Sequence, residues 1–225
     1  MRNGKVVAVL FDIDGTLITT GGAGAVAWRL AFNEVYGIPA DIGQFSDAGM
    51  TDPEVARRTF ASVIGHEPSA RELARVMAVR LEFLPDAVAE SSGYRVLAGV
   101  EMLLPRLAEA GYLLGLTTGG VEAAARFKLA RARLNRYFAF GGYGSDSINR
   151  TELTKRAIER GAVLYGGSLQ PSQCYVVGDT PLDIAAAKGA GAVSIAVASG
   201  HFSTEELHDA GADYVLTSLE QELPL

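Results

Sequence analysis

Several things are scarce in this chain, and each scarcity closes off a class of function. Its one cysteine, Cys174, cannot form an internal disulfide; set in an apolar run, it reads as a small core residue. No apolar stretch approaches the roughly 20 residues that a transmembrane helix needs, so no membrane partner is expected. There is no run of basic residues, and the net charge of −6 argues against nucleic acid or an anionic lipid surface as partner. The arginines and lysine from Arg126 to Arg136, including Lys128, are spaced around a helix and read as a solvated face. Three histidines, His66, His201 and His208, are scattered without ligand spacing. There is no internal repeat and no low-complexity segment.

What remains is the composition of a globular protein with a large core. Of 225 residues, 48% are hydrophobic, enough for one large domain or a domain carrying an insertion. Glycine, at 26 residues, exceeds its usual share of about 7% and suggests many tight turns at strand ends. Two regimes follow each other along the chain. From about Gly22 to Ala89 apolar residues recur at helical spacing, as in Ala23, Val26, Ala27, Leu30 and Ala31, with breaks at Gly37-Ile38-Pro39 and His66-Glu67-Pro68-Ser69. After Gly93, apolar segments at 113–116, 137–140, 175–177, 193–198 and 214–216 alternate with alanine-rich helical stretches. That rhythm implies βαβ units, and hence an α/β fold with a doubly wound, Rossmann-like parallel sheet. The apolar run Val6–Phe11 joins the same sheet. The expected organisation is a core of residues 1–20 and 92–225 with a helical insertion at 21–91, hinged at Gly21-Gly22 and Ser91-Ser92-Gly93.

Carboxylates stand where two of these strands end. Val6–Phe11 runs into Asp12-Ile13-Asp14-Gly15-Thr16-Leu17, and Cys174–Val177 runs through Gly178 to Asp179 and on to Asp183. Ligands in open α/β sheets bind beyond the carboxyl ends of the strands, and buried acidic groups there need a metal, a proton or a substrate to offset them. A calcium loop would need glycine at position six and glutamate at position twelve; position twelve counted from Asp12 is Ala23.

These two motifs resemble the first and fourth motifs of the haloacid dehalogenase superfamily, and most of all its phosphoglycolate phosphatase-like branch. The second motif, a strand ending in threonine or serine, is met by Leu113–Thr118, and the third, a basic residue before a helix, by Arg150 or Lys155. The resemblance implies that Asp12 is a nucleophile forming an aspartyl-phosphate, and that Asp14 is the acid and then the base. It further implies that Asp179 completes a magnesium (Mg2+) site with Asp12 and the backbone carbonyl of Asp14, with Asp183 in support. Thr118 and the amides near Gly119 would take the phosphate; Thr118 is favoured over Thr117 because it directly precedes the glycine turn. Arg150 is favoured over Lys155 as the phosphate-binding cation, because it occupies the loop before the helix. Residues 21–91 would be a C1-type cap closing over the site. Asp14 favours a phosphate ester, since carbon–halogen cleavage needs no proton on its leaving group. The expected activity is magnesium-dependent hydrolysis of a small phosphorylated metabolite, phosphoglycolate-like or sugar-phosphate-like. A sugar phosphomutase and a non-catalytic phosphometabolite-binding protein are the alternatives. The expected setting is the cytoplasm, as a monomer or homodimer.

Overall fold

β1 (Ala8–Phe11) is paired on both edges, with β4 (Leu113–Thr118) on one side and β6 (Cys174–Gly178) on the other, both parallel to it. The structure, a computed structural model, describes residues 7–225 apart from Ser46 and Ser168, so Val6 of the expected first strand lies outside the described residues. With β5 (Phe140–Tyr143), β7 (Val193–Val197) and β8 (Tyr214–Leu216) the strands form one six-stranded parallel sheet in the order β5-β4-β1-β6-β7-β8. Every residue of β1 is buried because the sheet is covered on both faces. Val9 and Phe11 pack with Leu103, Leu104 and Leu107 of α4 (Val100–Glu109). Ala8 and Leu10, pointing the other way, pack with Ala157 and Ile158 of α6 (Arg150–Tyr165) and Ala187 of α7 (Pro181–Ala190). Each large side chain so buried contributes about 1.5–3 kcal/mol. The expected α/β class with a parallel sheet is the one observed.

Between β1 and β4 lies a helical layer. α1 (Ala23–Tyr36) packs on α3 (Ala70–Glu90), with α2 (Asp52–Ile64) beside them. They share an apolar cluster of their own around Trp28, Phe32, Phe60 and Val76. Cap chemistry sets the ends: Gly37 and Gly65 close α1 and α2 in the left-handed conformation, and Ser69 with Glu72 forms a capping box on α3. The layer is entered and left at one place. A Cβ on Gly21 would lie 2.4 Å from the Gly93 backbone, and Ser91 Oγ donates to Thr20 O at 2.7 Å. Just before and after that crossing, β2 (Ile18–Thr19) and β3 (Arg95–Val96) pair antiparallel. α5 (Glu122–Ala130) follows β4, and α8 (Thr204–Asp209), opened by a Ser203–Glu206 capping box, precedes β8.

One local expectation fails, and one pair of strands was not expected. The segment expected as a strand at 137–140 is a short 3-10 turn over Leu134–Tyr137, and the strand begins only at Phe140. The pair β2–β3 gave no signal, because two residues are too few to show a period.

Candidate active site

The direction of the sheet changes at β1: β4 and β5 are laid out to one side, β6 to β8 to the other. The crevice of such a sheet opens where its order reverses, beyond the strand ends. Asp12 follows β1 there, Thr118 ends β4 and Asp179 follows β6. Carboxylate oxygens of Asp12, Asp179 and Asp183 lie within 4.8 Å of one another, and all three residues are buried.

Each is fixed by local structure. Asp179 accepts from Thr16 Oγ1 at 3.0 Å and packs against two glycines. Gly15 has φ of +83°, and a Cβ there would lie 2.3 Å from the Asp179 carboxylate, so glycine is needed twice over. Asp183 is held by a capping box: α7 starts at Pro181, and Thr180 is its N-cap. Asp183 Oδ2 accepts from Thr180 N at 3.1 Å and from Thr180 Oγ1 at 2.8 Å, which leaves Oδ1 for the Arg150 guanidinium. Arg150 is the first residue of α6, whose N-cap Asn149 accepts from Thr151 N at 2.9 Å. It is buried, pairs with Asp183, lies 3.8 Å from Asp12 and donates to Gly49 O at 2.9 Å. Lys155 is instead exposed and paired with Glu152.

The electrostatics are those of an acidic pocket short of positive charge. Burial, reinforced by Asp183, pushes the Asp12 carboxyl well above the usual carboxylate range, and Arg150 opposes this only in part. Burial, again with Asp183, pushes Asp179 up to about 7. Burial also works against the Arg150 charge, but Asp183 and Asp12 outweigh it and hold the guanidinium above its usual value. Three carboxylates against one guanidinium leave a formal excess of two negative charges. An all-oxygen donor set of that charge suits a hard divalent cation.

The phosphate-site candidates lie beside this cluster. Thr117 Oγ1 is 2.9 Å from Thr154 Oγ1 and is tied to α6, whereas Thr118 Oγ1 accepts from Gly120 N at 3.3 Å within the glycine turn. The helical layer reaches this turn directly. Asp52 N donates to Gly119 O at 2.8 Å, and Val121 N donates to Asp52 Oδ2 at 2.9 Å. Gly119 admits this approach because a Cβ there would lie 2.5 Å from Met50 O. Asp52 is paired in turn with buried Arg80 at 2.6 Å, and the guanidinium lies 4.6 Å above the Trp28 ring. Thr51 stands at the N-cap of α2, but its hydroxyl makes no cap bond and is buried without a partner among the described residues.

Asp14 is set apart from the three buried carboxylates. Its side chain is 44% exposed, at the rim, and forms an ion pair with Lys128 of α5. This corrects the reading of Lys128 as part of a solvated face: it is buried, and its ammonium points at the site. The even spread of charge along 126–136 hid it, and no local signal pointed to a partner 114 residues away.

A family model described as haloacid dehalogenase-like hydrolase matches residues 6–191. The chain belongs to this family. Among relatives of this hydrolase, a phosphoglycolate phosphatase of Rhodospirillum rubrum is 30% identical over 217 residues, covering 91% of this chain and 84% of the relative. Hexitol phosphatase A of Escherichia coli is 29% identical, covering 94% and 91%. A crystal structure of a predicted phosphoglycolate phosphatase from Haemophilus somnus superposes with a TM-score of 0.73 at 18% identity, over 96% of this chain and 95% of that one. A β-phosphoglucomutase from Clostridium difficile shares the fold equally well, with a TM-score of 0.72 at 20% identity over 98% and 94%. No described helix is long and apolar enough to cross a membrane.

Proposed function

We propose that this hydrolase is a magnesium-dependent phosphatase of the cytoplasm, cleaving a small phosphoglycolate-like or sugar-phosphate-like monoester through an aspartyl-phosphate. Membership of the family, with phosphatases as relatives, makes it a phosphoric monoester hydrolase. The observation that carries the finer reading is the convergence of Asp12, Asp179 and Asp183 at the strand ends beside Arg150.

In this reading Asp12, Asp179 and the backbone carbonyl of Asp14 hold magnesium, which when bound offsets negative charge on the phosphate oxygens. Arg150, Thr118 and the amide of Gly119 orient the phosphate. A carboxylate oxygen of Asp12 attacks phosphorus, and the ester P–O bond breaks with its electron pair left on the departing oxygen. Asp14 gives that oxygen a proton. Water then passes a proton to Asp14 as its oxygen attacks the same phosphorus, and the bond to Asp12 breaks to restore the carboxylate. Asp183, with both oxygens engaged, keeps Arg150 in place. Residues 21–91 act as the cap, and Gly49–Asp52, lying between Arg150 and the Gly119 turn, is its specificity loop.

The test is phosphate release from a panel of small esters, including phosphoglycolate and hexitol phosphates, with magnesium present. Release that is abolished by chelator, and in a folded Asp12→Asn variant, is the expected result. Near-normal activity of Asp12→Asn would refute the nucleophile assignment, and isomerisation of a sugar phosphate without phosphate release would replace the phosphatase by a mutase.

A further inference from the structure

Lys128 has no part in the reaction as set out above, yet it is buried at the site, 7% exposed, with its ammonium against Asp14 Oδ2. Removing an ammonium from water costs several kcal/mol and needs a partner. Here the partner is the one carboxylate of the site that remains half open to solvent. No other hydrogen bond to the Asp14 carboxylate forms among the described residues. Left alone, an exposed aspartate would exchange between rotamers. The lysine itself is anchored from outside the sheet. Tyr94 OH donates to Lys128 O at 2.8 Å, and the Arg131 guanidinium lies 4.7 Å over the Tyr94 ring. Arg131 also donates to Val88 O at 2.6 Å and to Ser91 O at 2.8 Å. The end of α5 is thereby tied to the end of α3 and the turn after it.

We propose that Lys128 is a positioning residue for proton transfer to the leaving group: it holds one oxygen of Asp14 so that the other faces the ester oxygen. The inference rests on the reading of Asp14 as acid and base. It commits Lys128 to the leaving-group side of the site, across from the phosphate held by Arg150. Positioning of this kind matters in proportion to the proton's importance. An alkyl oxygen must be protonated as it leaves, whereas nitrophenolate departs without a proton.

The experiment compares phosphoglycolate with 4-nitrophenyl phosphate in the wild type, Lys128→Met, Asp14→Asn and the double variant, all with magnesium. Lys128→Met is expected to lower kcat for the alkyl ester about 100-fold, and for the nitrophenyl ester about threefold or less, with KM little changed. The double variant is expected to be no slower on the alkyl ester than Asp14→Asn alone, since Lys128 acts through Asp14. Lys128→Arg should restore part of the alkyl activity. Equal losses on both esters, or losses that multiply in the double variant, overturn the inference. If Lys128→Met fails to fold by circular dichroism, Lys128→Gln is read by the same two ratios. A wild type that cleaves neither ester removes the phosphatase reading and this inference with it. A leaving-group preference in Asp14→Asn that is absent in the Lys128 variants overturns this inference alone.

Discussion

At the scale of single residues, Asp12 and Asp179 are groups that the fold itself disfavours in their charged form. Burial pushes Asp179 up to about 7 from 3.8. A carboxyl whose folded pKa lies above its unfolded one adds stability that is complete below the unfolded value and is lost as pH rises through the folded one. In metal-free protein, the wild type should therefore lose stability relative to Asp179→Asn between about pH 4 and pH 7, by on the order of 4 kcal/mol. Thermal unfolding of both proteins in chelator across that window checks this, and parallel curves would contradict it. Arg150 and Lys155 separate just as clearly: one is buried against Asp183, the other exposed against Glu152. Arg150→Ala should raise KM for the ester at least tenfold, while Lys155→Ala should leave it within about twofold, as suits an exposed pair. The opposite ranking in steady-state kinetics would move the cation to Lys155. Most of these residues could be read from the sequence because each stands at a strand end or a helix start. Lys128 could not, since only the fold brings α5 to Asp14.

Among the elements, the contact of most consequence is that between α2 and the turn after β4. Asp52 joins three partners, Arg80, Val121 N and Gly119 O, and so links α3, α2 and the start of α5. Among the described residues, Asp52→Ala would leave the Arg80 guanidinium buried with only the Trp28 ring, at a cost of about 3–5 kcal/mol. Urea unfolding should show that loss, and Asp52→Asn, which can still accept from Val121 N, should lose less. The placing of β5 shows why one strand was misread. Phe140-Gly141-Gly142-Tyr143 looks like a turn because of its glycine pair. Yet a Cβ on Gly142 would lie 1.7 Å from Leu153 O, so the glycine is there to let α6 lie close on the strand. Periodicity registers side chains, and here it is the missing side chain that the packing uses.

Over the whole molecule, the α/β class and the helical layer were legible because long periodic stretches dominate both halves. The strand order was not, because pairing between distant segments leaves no local mark. That order also governs how the chain assembles. The contacts of α1 with α3 lie within one stretch of about 70 residues, whereas β1 pairs with strands beginning at Leu113 and Cys174. Long-range parallel pairing is slow to form. In pulsed hydrogen exchange during refolding, amides of α1 and α3 are expected to gain protection before those of β1, and simultaneous protection would contradict this.

The central place of β1 carries a further consequence during synthesis. Its second partner strand is complete only at Gly178. At ribosomal speeds of 5–20 residues per second, β1 waits roughly 10 to 30 s for that neighbour. For that interval the nascent chain carries an apolar strand with an open edge, next to the aspartates of the candidate site, and it is a natural client for chaperones that shield such segments.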